Sequence, residues 1–163
     1  RISAVGFVAR NMDEIKNLSY AVTSVSHNHP EGLKGAESVA AAIFLARQSK
    51  TKEEIRKYIE NNYYKIDFTL NEIRDSYEFN ETCQNTVPQA LEAFFESQDF
   101  EDALRNAISI GGDSDTLAAI TGSIAEAYFG VPYAIRKKAE SYLDNKTFRA
   151  IYFWLKRFEK MFP

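Results

Sequence analysis

A chain of 163 residues, 45% apolar and 26% charged, fits one globular domain with a buried core. Its net charge of −3, with no long basic block, argues against broad, salt-dependent nucleic-acid binding, and no apolar run approaches the roughly 18 residues that span a bilayer. The one cysteine, Cys83, excludes an internal disulfide, so nothing demands an oxidising compartment; a cytoplasmic chain with no membrane or nucleic-acid partner is expected, and Cys83 reads as an inert buried thiol.

The chain opens without Met on "RISAVGFVAR", apolar and ready to pack, with no signal-peptide cleavage signature. Met12 to Ser24 carries Ile15, Leu18, Tyr20 and Val22 at mixed helical spacing behind Asn11 as N-cap. "SHNHPEG" reads as a turn at Pro30 and Gly32, and a helix rich in alanine follows from Leu33. Thr51 with Glu54, and Thr69 with Glu72, are capping boxes that open two short helices. Residues 62–68 are β-prone but lack hairpin chemistry, so they read as loop, as does "FNETCQNT".

Thr86 as cap and Pro88 in the first turn open "VPQALEAFFES", and Asp99 caps "FEDALRNAISI", which Gly111 and Gly112 stop. "TLAAITGSIAEAYF" is apolar nearly all round, so it is expected to be central and buried, with Gly130 closing it. Pro132 opens the next helix and Asp144 precedes the last. There Phe148, Tyr152, Phe153, Leu155, Phe158 and Phe162 alternate with Lys156, Arg157 and Lys160, which reads as a packed face with a solvated rim. Roughly eight helices with no repeat and no linker predict a single all-α domain over 1–163, a compact orthogonal multi-helix bundle.

One stretch asks for more than packing. "GGDSDT" places Asp113 and Asp115 one residue apart at the mouth of an apolar helix, where like charges raise each other's pKa. Two readings fit. One acid can cap the helix; the pair, with Thr116, also forms an all-oxygen set suited to a hard divalent cation that would remove the repulsion. Neighbouring motifs fail: an EF-hand needs Glu at its twelfth position, which is Ile124 here, and the D-x-D of haloacid-dehalogenase-type phosphatases follows a strand, whereas this one follows a helix.

"ISIGGDSDTLAAITGSIAEAYFG" closely resembles the C-terminal signature of the ADP-ribosylglycohydrolase family, the dinitrogenase-reductase-activating glycohydrolase-like enzymes. "SVSHNHPEGLKGAESVAAAI" and "TVPQALEAFFESQDFEDALRNAIS" resemble two further blocks in the right order, so the likeness covers about residues 1–130. The resemblance implies an all-α fold, a site for two divalent cations (Mg²⁺ or Mn²⁺), and hydrolysis of the glycosidic bond between ADP-ribose and its acceptor, an ADP-ribosylated protein or small molecule, through an oxocarbenium-like state. It makes Asp113, Asp115 and Thr116 metal ligands and puts His27 in the block that lines the ADP-ribose cleft; Gly111, Gly112 and Ser114, at the helix mouth, are expected to meet the substrate. For His27 a structural role at a helix start stands equally open. His29 is weaker, since no Cys or third His completes a zinc site with the pair.

The family's N-terminal acidic segment, its Thr-Asp-Asp-type trio and its Gly-rich phosphate loop are not in the sequence. The chain is therefore expected to be the C-terminal part of a longer enzyme, supplying half the metal shell to a missing N-terminal half. The rival expectation is an inactive structural or ADP-ribose-binding remnant, because the family's fold also serves crystallin-like proteins. No residue is assigned as the catalytic acid or base.

Overall fold

The structure, a computed structural model, describes residues 2–161, with side chains up to residue 157. Among the described residues there are ten α-helices, one short 3-10 turn and no strand. The chain divides into two compact units, 1–130 and 131–163.

The first unit holds α1 (Ser3–Val8), α2 (Met12–Thr23), α3 (Pro30–Arg47), α4 (Lys52–Asn62), α5 (Leu70–Ile73), a 3-10 turn (Cys83–Asn85), α6 (Val87–Glu96), α7 (Phe100–Ser109) and α8 (Ser114–Phe129). Short side chains placed before several of the helices satisfy orphan N–H groups. Asn11 Oδ1 accepts from the Glu14 amide at 2.9 Å, and Asp99 Oδ1 from that of Asp102 at 2.8 Å. Both capping boxes, Thr51 with Glu54 and Thr69 with Glu72, are formed. Thr86 stands at the N-cap of α6, yet its hydroxyl donates to the Asn80 carbonyl at 3.1 Å and so ties down the preceding loop.

Two boundaries move. The opening apolar run forms α1. Helix α3 begins at Pro30, three residues before Leu33, because proline is preorganised for a first helical turn and His29 Nδ1 accepts the Glu31 amide at 3.2 Å. The supposed turn is that first turn.

Helix α8 packs against α3, α6 and α7 as a central helix should, but of the two the more deeply buried is α3. Its small residues let α1, α2, α4 and α8 approach closely, and Val39 to Ile43 are sealed from solvent. At the α1 crossing a Cβ on Gly6 would stand 2.6 Å from Ile43 Cβ and 2.9 Å from the Ala40 carbonyl oxygen, so only glycine fits. Helix α8 buries one stripe, Leu117, Thr121, Ile124 and Ala125, against α3, α6 and α7, and leaves Ala119 exposed. Thr121 is fully buried and its hydroxyl donates to the Ala90 carbonyl at 2.8 Å, which satisfies both groups.

Helix α4 is held to α6 by charge. Lys52 Nζ donates to the Ser97 carbonyl beyond the end of α6 and lies 5.0 to 5.8 Å from the ring centroids of Phe94, Tyr128 and Phe129. Arg56 stacks 4.4 Å above Phe95 and meets buried Glu92 at 2.6 Å. Burial outweighs that arginine and pushes the Glu92 carboxyl up to about 7. A carboxyl raised on folding contributes stability that is full below its unfolded value and is lost as pH climbs through the folded one. Relative to Glu92→Gln, the native chain should therefore lose on the order of 2 kcal/mol between pH 5 and pH 8. Urea unfolding of both proteins at the two pH values measures it, and parallel changes would contradict it.

The second unit holds α9 (Tyr133–Glu140) and α10 (Asn145–Met161). Asp144 Oδ1 accepts the amides of Lys146 and Thr147 at 2.8 and 2.9 Å, which starts α10 as expected. The expected packed face is open to solvent at Tyr152 and Phe153; the side chains of Phe158, Lys160 and Phe162 lie outside the described residues. No helix among the described residues is long and apolar enough to cross a membrane.

Candidate functional site

Helix α7 ends at Ser109, and the chain reverses through Gly111 and Gly112 at φ +77° and +64°, both in the left-handed region that glycine enters freely. That reversal aims the start of α8 back across the end of α7. Asp113 takes the N-cap position, yet its side chain makes no cap hydrogen bond, so the bland reading of this acid as a cap does not hold. Asp115 is exposed in the first turn. A hydrogen bond with the Asp113 carboxyl, then the amides of Thr116 and Asp115 itself, hold its carboxyl below the ordinary carboxylate range. The two acids thus lie side by side at the turn, with Ser114 and Thr116 beside them. Among the described residues no group of three or more His, Cys, Asp or Glu side chains is placed to hold a metal ion. The turn offers two carboxylates and a hydroxyl, a hard all-oxygen set that fits part of a divalent-cation shell.

Above the turn lies Tyr77, a residue to which no sequence motif pointed. Its ring edge covers Gly112, where a Cβ would stand 2.5 Å from Tyr77 Cε1. Burial pushes its phenol up; Thr86 opposes the shift and the Asp113 charge adds to it.

A cleft of about 210 Å³ opens beside the N-terminus of α3, bordered by His27, Gly32, Gly35, Cys83, Val87 and Ile120 among others. Ile120 sits four residues after Thr116 on α8, so the stripe that walls the cleft runs up to the acidic turn. His27 is exposed at the cleft border, its Nδ1 2.9 Å from the Ser26 hydroxyl. His29 is taken up by capping α3, which leaves no two-histidine zinc motif. Gly35 lets α3 pass close to Cys83 Sγ and the buried Tyr64 hydroxyl, each 3.3 Å from where its Cβ would be. Cys83 is half-buried and not sealed in the core as expected, because its 3-10 turn edges the cleft. Burial, then the Glu31 charge, push its thiol up, which keeps it protonated and a weak nucleophile.

The family model described as ADP-ribosylglycohydrolase matches residues 1–152, further than the likeness to about residue 130 read from motifs. An uncharacterized protein of Archaeoglobus fulgidus is 27% identical over 149 residues, covering 81% of this chain and 49% of that protein. The protein named ADP-ribosylarginine hydrolase Tri1, from Pseudomonas putida, is 29% identical over 119 residues, covering 69% of this chain and 32% of its own length. The chain thus spans about half or less of the curated relatives it matches.

Proposed function

The chain belongs to the ADP-ribosylglycohydrolase family, and on that footing we propose that it supplies the C-terminal part of an enzyme that hydrolyses the glycosidic bond between ADP-ribose and an acceptor. The observation that carries this reading is the acidic turn: Asp113 stands at a helix start without capping it, shoulder to shoulder with Asp115, after a glycine reversal that opens the backbone. Asp113, Asp115 and Thr116 would hold divalent cations, Mg²⁺ or Mn²⁺. Bound there, such ions supply a Lewis acid that neutralises the paired carboxylates and orients ribose hydroxyls.

The remaining roles belong to side chains and backbone. His27 at the cleft border and the Ser114 hydroxyl would hydrogen-bond the sugar, and the open backbone at Gly111 and Gly112 would let it approach. Cleavage breaks the bond from the anomeric carbon to the acceptor; water's oxygen bonds to that carbon, and its proton leaves with the acceptor. The arginine-directed name of the Pseudomonas putida relative makes arginine-linked ADP-ribose the first acceptor to assay. With the full-length protein, chromatography of an ADP-ribosylarginine peptide should show free ADP-ribose in Mg²⁺ or Mn²⁺ and none in excess chelator. No release from arginine-, serine- or nucleotide-linked substrates with either ion would overturn the reading.

A further inference from the structure

We propose that Tyr77 is a positioning residue for the acidic turn, a strut that fixes Gly112 and so sets the direction in which the Asp113 carboxylate points. The inference rests on the reading of Asp113 and Asp115 as cation ligands.

Tyr77 is anchored at three places. Its amide donates to the Ile73 carbonyl at 2.8 Å, which fixes its backbone just after α5. Its ring packs against the core cluster that includes Leu70, Ala107, Ile110 and Leu117, the residues under both ends of the reversal. Its hydroxyl donates to the Asn85 carbonyl at 2.9 Å, at the end of the 3-10 turn whose Cys83 borders the cleft. Between these anchors the ring edge rests on Gly112, with Cε1 and Cδ1 2.5 and 3.1 Å from the position a Cβ would take, and the neighbouring Glu78 carbonyl oxygen 3.3 Å from it.

Two consecutive residues at positive φ have many other conformations open to them when both are glycine. Here a rigid ring held at its base and its tip closes off the space those alternatives need above Gly112. The next residue is Asp113, so the conformation of Gly112 decides where its carboxylate goes. Tyr77 needs no contact with a cation or a sugar to do this. It acts as an outer support of the kind whose removal costs roughly 10- to 100-fold in metal affinity. Phenylalanine would keep the ring and release only its tip.

The test compares Tyr77→Ala, Tyr77→Phe and Ile55→Ala in the full-length protein. Ile55 on α4 is completely buried and lies outside the cluster that Tyr77 packs against, so it reports general loosening. Mn²⁺ calorimetry should show a loss of roughly 10-fold or more for Tyr77→Ala, a few-fold for Tyr77→Phe and none for Ile55→Ala, with Ile55→Ala the variant that melts lowest. Amide hydrogen exchange over 111–116 should quicken in Tyr77→Ala and not in Ile55→Ala. Native Mn²⁺ affinity and native exchange in Tyr77→Ala would overturn the proposal. A native protein that binds no Mn²⁺ would instead sink the reading of the acids as ligands, and the exchange arm would still decide whether Tyr77 holds the turn.

Discussion

Replacing Asp113 and Asp115 together by alanine is expected to lower the Mn²⁺ affinity of the full-length protein by two orders of magnitude or more and to take ADP-ribose release to background, while Asp113→Ala alone leaves the melting temperature level. The second half of this expectation follows from the geometry. A true N-cap acid contributes about 1 kcal/mol through its bond to a helix amide, but the Asp113 side chain makes no such bond. Its neighbour is the Asp115 carboxyl, with which it shares a hydrogen bond, and that contact leaves the helix amides untouched. A cap and a ligand thus predict different stability changes for Asp113→Ala. Calorimetry with Mn²⁺, an ADP-ribose release assay and thermal unfolding on the same preparations separate them. Unchanged Mn²⁺ affinity in the double variant would end the ligand reading, and a clear loss of stability in Asp113→Ala would restore the cap.

The largest stability effect is expected where α1 crosses α3. Gly6→Ala adds one methyl at a point 2.6 Å from Ile43 Cβ and 2.9 Å from a backbone oxygen. Ile43 is completely buried, and neither it nor the α3 backbone can swing aside, so the helices must separate. Overpacking of this kind costs about 2–4 kcal/mol, or a fall in melting temperature of roughly 10 °C for a domain of this size. Gly122→Ala is the matched comparison. It also lies inside a helix, but a Cβ there meets only the flexible end of Leu104, at 3.0 Å, and alanine improves helix propensity by about 1 kcal/mol. Circular-dichroism melts should show the first variant well below the native protein and the second within a few degrees of it. Equal behaviour would mean that α1 does not make the close crossing.

Most of the helical layout was legible because its signals are local. Asn11, Thr51, Thr69, Asp99 and Asp144 each bond an amide two or three residues ahead, which spacing alone reveals. Depth of burial was not legible. The sequence of α8 is apolar all round, but burial depends on neighbours, and the alanines of α3 admit more of them. "HPEG" misled for a related reason: proline and glycine mark turns on average, yet proline also suits a first helical turn, and only the His29 bond decides between the two. At the site, the acids and glycines stood out because their chemistry is odd for a buried helix. Tyr77 did not, since it is an aromatic in a polar stretch some 35 residues away in sequence from the glycine it covers, and no periodicity links them. Cys83 was legible as unreactive but not as part of a cleft, because a lone thiol carries no positional signal.

A helix whose N-cap side chain makes no bond forgoes about 1 kcal/mol that a capping aspartate would have contributed. The opening turn of α8 is therefore among the more easily frayed parts of an otherwise tightly keyed bundle. Whatever occupies Asp113 will also knit that end, so filling the site and hardening the protein are two views of one equilibrium.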